Sequence, residues 1–287
     1  MCDTCGCNIT PGNRHLVAGD GKLSRTADGK NAVTVLKGLL DENDLQAHHN
    51  RQHFDRHAVL TVNLMSSPGS GKTALLEATI DALRGDLKVA VIEGDLETEN
   101  DAQRVRAKGV PAVQITTGSA CHLDAHMVHN ALHHLPLADI DIVFIENVGN
   151  LVCPASFDLG HHRNVTLLSV TEGDDKPAKY PVMFRAADLM VLSKTDLLAV
   201  LDDFDPQRAE AALRGLASDA PVIRLSARSR VGLEGWTAWL RNELAAQRER
   251  VAQHHTTRPA IQPDGRLRHR GAAPVPHPGY VLLPTKP

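Results

Sequence analysis

The chain has 287 residues, a formal net charge of −3 and only 3% aromatic residues. That length admits one large α/β domain with appendages, and the near-neutral charge gives no electrostatic reason to bind nucleic acid or an anionic membrane. No apolar run reaches the roughly 18–20 residues that span a bilayer, and a start rich in cysteine does not read as a secretory signal; the cytoplasm, where thiols stay reduced, is the expected compartment.

The chain begins Met-Cys-Asp-Thr-Cys-Gly-Cys, which places thiols at Cys2, Cys5 and Cys7. Once Met1 is removed, the new amine and the Cys2 thiolate can close a chelate ring. Amine plus three thiolates suit square-planar Ni²⁺ and also tetrahedral Zn²⁺. A disulfide or an inert leader is the plain alternative, disfavoured by a reducing compartment. Residues 8–32 are polar and aperiodic and read as a flexible linker. Val35, Leu36, Leu39, Leu40 and Leu45 carry an apolar stripe that predicts a helix over 33–57. Its second half holds His48, His49, His53 and His57, part of a total of sixteen histidines. Positions 49, 53 and 57 recur on one helical face. Solvated polar surface is the plain reading of these histidines, and weak accessory metal binding the sharper one.

Short apolar runs then predict strands over 59–65, 87–92, 112–116, 140–146, 165–170, 189–193 and 222–226. Helical segments over about 72–83, 99–108, 122–135, 206–217 and 233–249 separate most of them. Alternation of this kind predicts an α/β fold with a mostly parallel sheet flanked by helices. From about 252 the prolines multiply and the apolar period is lost. The expected organisation is a cysteine leader and linker over 1–32, a nucleotide-binding domain over 33–250 and a disordered Pro-rich tail over 251–287.

Between the first strand and its helix lies Ser66-Ser67-Pro68-Gly69-Ser70-Gly71-Lys72-Thr73. Strand, glycine-rich turn, Lys-Thr and helix form the setting of a phosphate-binding P-loop. Gly69, Ser70 and Gly71 would offer backbone N–H groups to phosphate, Lys72 would reach the β- and γ-phosphates, and Thr73 would give its hydroxyl to Mg²⁺. Ser66 stands where a glycine is usual, a change its small size tolerates. Asp95 and Glu146 end their strands on the same sheet edge, where carboxylates can hold Mg²⁺ or its waters and support catalysis beside Lys72. Helix capping is the plain alternative for Asp95.

Ser193-Lys194-Thr195-Asp196 follows a buried strand as a guanine-reading loop would. Asp196 would accept from guanine N1–H and the 2-amino group, and Lys194 would lie over the base. Ser226 and Ala227 fit the second base loop, so GTP is expected over ATP. Cys121-His122 and Cys153 add three S/N donors flanking these elements, a candidate Ni²⁺ or Zn²⁺ set; buried packing is the plain alternative.

Several long motifs resemble HypB, the hydrogenase nickel-incorporation GTPase. They are Met-Cys-x-x-Cys-Gly-Cys, the Ser-Pro-Gly-Ser-Gly-Lys-Thr loop and the run from Glu93 to Asp101. Thr117-Gly118-x-x-Cys121-His122-Leu123, the run from Glu146 to Pro154 and the run from Ser169 to Pro181 join them. The resemblance covers the leader and roughly residues 33–248. It implies a P-loop NTPase fold of the SIMIBI class and a slow GTPase using GTP with Mg²⁺. It implies delivery of Ni²⁺ to the [NiFe]-hydrogenase large-subunit precursor, a nucleotide-dependent homodimer and a HypA-type metallochaperone partner. It further implies a high-affinity nickel site at Cys2, Cys5 and Cys7 and a second Ni²⁺ or Zn²⁺ site at Cys121, His122 and Cys153. Ser193 departs from the more usual Asn and has a shorter reach. The alternative from another class is a nickel/zinc buffer with a nearly non-hydrolysing regulatory domain; the related urease accessory GTPase is disfavoured by the three-cysteine leader.

Overall fold

A computed structural model describes residues 32–95, 100–118, 120–216 and 218–259. Cys2, Cys5 and Cys7, with most of the proposed leader and tail, lie outside the described residues. The strands are β1 (Leu60–Met65), β2 (Val89–Asp95), β3 (Ala112–Thr116), β4 (Ile142–Glu146), β5 (Arg163–Ser169), β6 (Leu189–Ser193) and β7 (Val222–Arg224). They form one seven-stranded sheet in the order β3-β2-β4-β1-β5-β6-β7, with every pairing parallel. The expected P-loop NTPase fold is the one found.

Both faces of the sheet are covered, which is why the strands read as nearly continuous apolar runs. Leu60, Val62 and Leu64 of β1 face α2 (Lys72–Leu83) and α8 (Leu233–Ala252), where Leu75, Leu76, Leu83 and Trp236 complete a core. Trp236 is fully buried and its Nε1–H donates to Thr79 Oγ1 at 2.8 Å, fastening α8 to α2. The opposite face packs α1 (Ala32–Arg56) and α4 (Ala125–Leu132) against β2 and β4 through Phe54, Val128, Leu132, Ile92 and Ile145. Beyond β5, the same side is closed by α6 (Pro181–Arg185) and α7 (Pro206–Gly215), with Phe184 and Leu213 against Leu168 and Leu192.

Strand β2 ends at Asp95, where the sequence reading placed that carboxylate, because Glu93, Gly94 and Asp95 pair in register with Gln114, Ile115 and Thr116 of β3. Two features differ from the sequence reading. Two short helices, α5 (Lys176–Lys179) and α6, occupy the loop before β6, each with a proline in its first turn, where a missing N–H costs nothing. The tail does not leave the domain at 251. Thr256 is buried and Thr257 Oγ1 accepts from Arg163 Nη1 at 3.0 Å, so the chain stays on the body to residue 259. Among the described residues, no helix is long and apolar enough to cross a membrane.

Candidate functional site

The carboxyl ends of β1, β2, β4, β5 and β6 open on one edge, where a parallel α/β sheet offers its crevice. The turn between β1 and α2 supplies the floor. Gly69 and Gly71 take φ of 75° and 97°, and Gly71 caps α2, so a side chain at either would strain a backbone that must present N–H groups inward. Lys72 Nζ donates to Ser66 Oγ at 3.0 Å. Ser66 is therefore more than a small residue in a glycine position: it holds the lysine that reaches toward the crevice. Burial lowers the Lys72 pKa, opposed by the charges of Glu146, Asp101, Glu172 and Glu93.

A cavity of about 360 Å³ sits above this turn, lined by Gly69, Lys72, Thr73, Glu93, Asp95, Glu146 and Gly149, with Asp101 and Arg104 of α3 (Asn100–Arg106) on its outer wall. Thr73 Oγ1 donates to Glu146 Oε1 at 2.9 Å. Asp95 stands half-buried at the end of β2. Glu93, named in a motif but given no role by the sequence reading, lies directly beside Glu146 in the β2–β4 register. Burial pushes Glu146 up to about 7. Burial, then the Glu146 charge, pushes Glu93 up to about 8. Glu93 Oε2 and Glu146 Oε2 are buried with no hydrogen-bond partner among the described residues. Two buried carboxylate oxygens left unsatisfied beside a threonine hydroxyl fit a hard divalent cation such as Mg²⁺. The sequence signal for Glu93 was its place in an otherwise apolar strand, Val-Ala-Val-Ile-Glu.

The base-loop residues gather at the other end of the turn. Ser193 Oγ donates to the Ser70 carbonyl at 2.7 Å, and Lys194 Nζ to the Gly69 carbonyl at 2.7 Å. Ser193 thus ties the β6 loop to the phosphate loop despite its short reach, and Lys194 stretches over the turn from a left-handed backbone of φ 58°. Asp196 is exposed beside it. Thr195 N–H donates to the Leu225 carbonyl at 3.2 Å, joining the loop to the one holding Ser226 and Ala227. The Ser226 N–H donates to Val231 O and is thereby committed within the loop. Sequence reading also passed over Glu172, whose Oε1 accepts from Ser70 Oγ at 2.6 Å and braces the turn from the β5 side.

Cys121 and His122 follow β3, and Cys153 follows β4. Their ligand atoms lie within 4.8 Å of one another. Cys121 Sγ is 3.1 Å from Cys153 Sγ, beyond the about 2.05 Å of a disulfide, and 3.6 Å from His122 Nδ1. The His122 ring stacks on Phe157 at 3.9 Å between centroids. Burial lowers its pKa, against the pull of Asp124, so the imidazole stays neutral and able to bind metal. Two thiols and an imidazole suit nickel or zinc.

The loops that carry these side chains touch the crevice above the turn at two points. A Cβ on Gly149 would lie 2.9 Å from Pro68 Cα, so the loop leading to Cys153 rests directly on the phosphate loop. A Cβ on Gly94 would lie 2.8 Å from the Leu123 side chain, so the segment after His122 rests on β2 between Glu93 and Asp95. Asn147 Oδ1 accepts from the N–H groups of Leu123 (3.2 Å) and Val148 (3.0 Å), bonding the two cysteine-bearing loops to each other.

The nucleotide-binding-domain model described as CobW/HypB/UreG matches residues 60–224. Hydrogenase maturation factor HypB of Azotobacter chroococcum is 54% identical over 215 residues, which cover 75% of this chain and 70% of the relative. The factor of the same name from Escherichia coli is 49% identical over 231 residues, 79% of each chain. Among solved structures, HypB from Helicobacter pylori in complex with nickel superposes with a TM-score of 0.69 at 42% identity, covering 71% of this chain and 96% of that one.

Proposed function

Because the chain belongs to the HypB hydrogenase maturation factors of the CobW/HypB/UreG family, we propose that it is a slow GTPase that carries Ni²⁺ to the [NiFe]-hydrogenase large-subunit precursor. The observation that carries this reading is the convergence of Cys121, His122 and Cys153 on loops that rest against the phosphate turn. Nickel is the cargo. Its presence in the H. pylori relative supports the choice of metal, and the same donor set would accept Zn²⁺.

In the proposed reaction the N–H groups of Gly69, Ser70 and Gly71 and the α2 amino end hold the phosphates. Lys72 exchanges the Ser66 hydroxyl for phosphate oxygens. Asp196 selects guanine, Lys194 covers the base and Ala227 supports it. Thr73, Glu146 and Asp95, with Glu93 beside them, would hold Mg²⁺, which supplies neutralising charge for phosphoryl transfer when bound. One carboxylate of the pair, Asp95 or Glu146, then orients water for attack on the γ-phosphate. Phosphate at Pro68–Gly69 bears on Gly149, so nucleotide state can alter the spacing of Cys121 and Cys153. Cys2, Cys5 and Cys7 form a second nickel site on the leader, the chain works as a nucleotide-dependent homodimer with a HypA-type metallochaperone, and the site of action is the cytoplasm.

Three measurements test this. The purified protein should hydrolyse GTP faster than its Lys72→Ala variant, and equal rates refute the enzyme. Ni²⁺ affinity should differ between the GDP and GTP-analogue states; equal affinities remove the coupling. Cells carrying Cys121→Ala should mature hydrogenase poorly at limiting nickel, and undiminished activity there refutes the metal route.

A further inference from the structure

The histidines of α1 and α4 meet on the side of the sheet away from the phosphate turn's helix α2. His129 Nε2 and His133 Nε2 are 3.2 Å apart, with the rings nearly perpendicular and their centroids at 4.6 Å. His53 of α1 stands over both, 5.7 Å from each ring centroid. The His129 ring is also oriented from behind: its Nδ1 is 3.0 Å from Asn50 Oδ1. Asn50 is fully buried, and its amide nitrogen donates to the carbonyls of Ala125 (2.7 Å) and Leu159 (3.1 Å). Its oxygen must therefore be the acceptor and His129 Nδ1 the donor. That fixes the tautomer: the His129 proton is on Nδ1, and Nε2 offers a lone pair toward His133.

We propose that His129 and His133, with His53 as a third donor, form an imidazole site for a borderline divalent metal, Ni²⁺ or Zn²⁺, separate from the cysteine sites. Three observations carry it. With metal–nitrogen bonds of about 2.05 Å, nitrogens 3.2 Å apart subtend about 100° at a shared ion, within the range of tetrahedral and octahedral sites. The Asn50 bond is the kind of outer contact that orients a metal-binding imidazole and raises its basicity. His133 caps the C-terminal end of α4, and His53 lies in the last turn of α1, so the negative ends of both helices face the position.

His53 completes the set by a rotamer change, since its ring already lies against the other two. His133 is exposed and His129 half-buried, leaving the ion a way in. Arg56, one turn beyond His53, is a like charge that weakens binding. The site stands outside the GTPase reading and would hold whether or not nickel transfer depends on nucleotide.

The test uses the full chain with its five cysteines changed to serine, so that no thiol site remains, in excess Mg²⁺ that occupies the carboxylate position beside Thr73. Titrated with Ni²⁺, this protein should bind one equivalent, and His129→Ala/His133→Ala should weaken that binding at least about tenfold. His126→Ala/His134→Ala, on exposed neighbouring histidines, should leave it unchanged. No stoichiometric binding, or equal binding by the His129→Ala/His133→Ala protein, overturns the proposal. Should the serine protein fail to fold, the unsubstituted chain serves: Ni²⁺ added beyond the thiol sites should broaden the imidazole resonances of His129 and His133 before those of His126 and His134. Uniform broadening of all four overturns the site.

Discussion

Replacing Gly149 with alanine places one methyl group where the Cys153 loop meets the phosphate turn. The new Cβ would stand 2.9 Å from Pro68 Cα, 3.0 Å from Pro68 N and 3.1 Å from Pro68 Cγ. Ordinary contact for such a carbon begins near about 3.4 Å, and two of the three atoms are backbone, unable to rotate aside. Gly149 has no left-handed backbone to strain, so the whole effect is this overlap. Overpacking by one methyl costs about 1–3 kcal/mol. If the phosphate turn yields, that energy comes out of nucleotide affinity, a loss of about 5- to 150-fold. Fluorescent GDP titration would read this, with urea unfolding of the nucleotide-free protein alongside. Ni²⁺ affinity at Cys121, His122 and Cys153 should also become less sensitive to nucleotide. Unchanged GDP affinity, together with unchanged metal coupling, would refute the idea that the two sites communicate through Gly149 and Pro68.

Glu146→Gln should lower GTP turnover by about two orders of magnitude, since a neutral amide holds a cation between Thr73 and Glu93 more weakly than a carboxylate and neutralises none of its charge. The nucleotide-free variant should melt at or above the parent temperature at pH 8, because burial disfavours the carboxylate there; a clear loss of stability contradicts this. Ser193→Ala strips the donor from the Ser70 carbonyl, costing about 1–2 kcal/mol, and should weaken GDP binding about 5- to 30-fold without changing the preference for guanine; unaltered affinity would make the tether idle. His161 is buried with its pKa lowered by burial to about 4, and its Nε2 lies 2.7 Å from Asn164 Oδ1. Between the unfolded value of 6.5 and about 4, the unfolded chain binds a proton there that the native chain does not. Stability should therefore fall by about 3 kcal/mol as pH drops across that window. Asp158, held at about 2 against the cost of burial chiefly by Arg51, stays ionised throughout the window and does not mask the slope. Urea unfolding at pH 6.5, 5.5 and 4.5 should show a smaller slope for His161→Gln; equal slopes would locate the effect elsewhere.

Much of the crevice is legible in local sequence because its chemistry is local. The turn from Ser66 to Thr73 works through consecutive backbone N–H groups, and such groups demand glycines at fixed positions. Lys194 and Asp196 likewise sit at a strand's end, where the alternation of apolar runs already places them. Ser66 and Ser193 were less legible. As substitutions in familiar motifs they look like concessions, yet each makes a specific bond, to Lys72 and to the Ser70 carbonyl. Glu172 was hidden because its partner, Ser70, is 102 residues away.

Sequence by itself determined the element order, the parallel sheet covered on both faces, the glycine-rich turn and which residues are candidate soft donors. Those follow from periodicity and residue chemistry, which neighbouring positions carry. Only the tertiary structure decided that Glu93 stands beside Glu146, that Gly149 rests on Pro68, and that Cys121 reaches Cys153 across 32 positions of chain. Strand register and the close approach of loops set those pairings. Both are settled by packing between distant segments, so no local pattern records them.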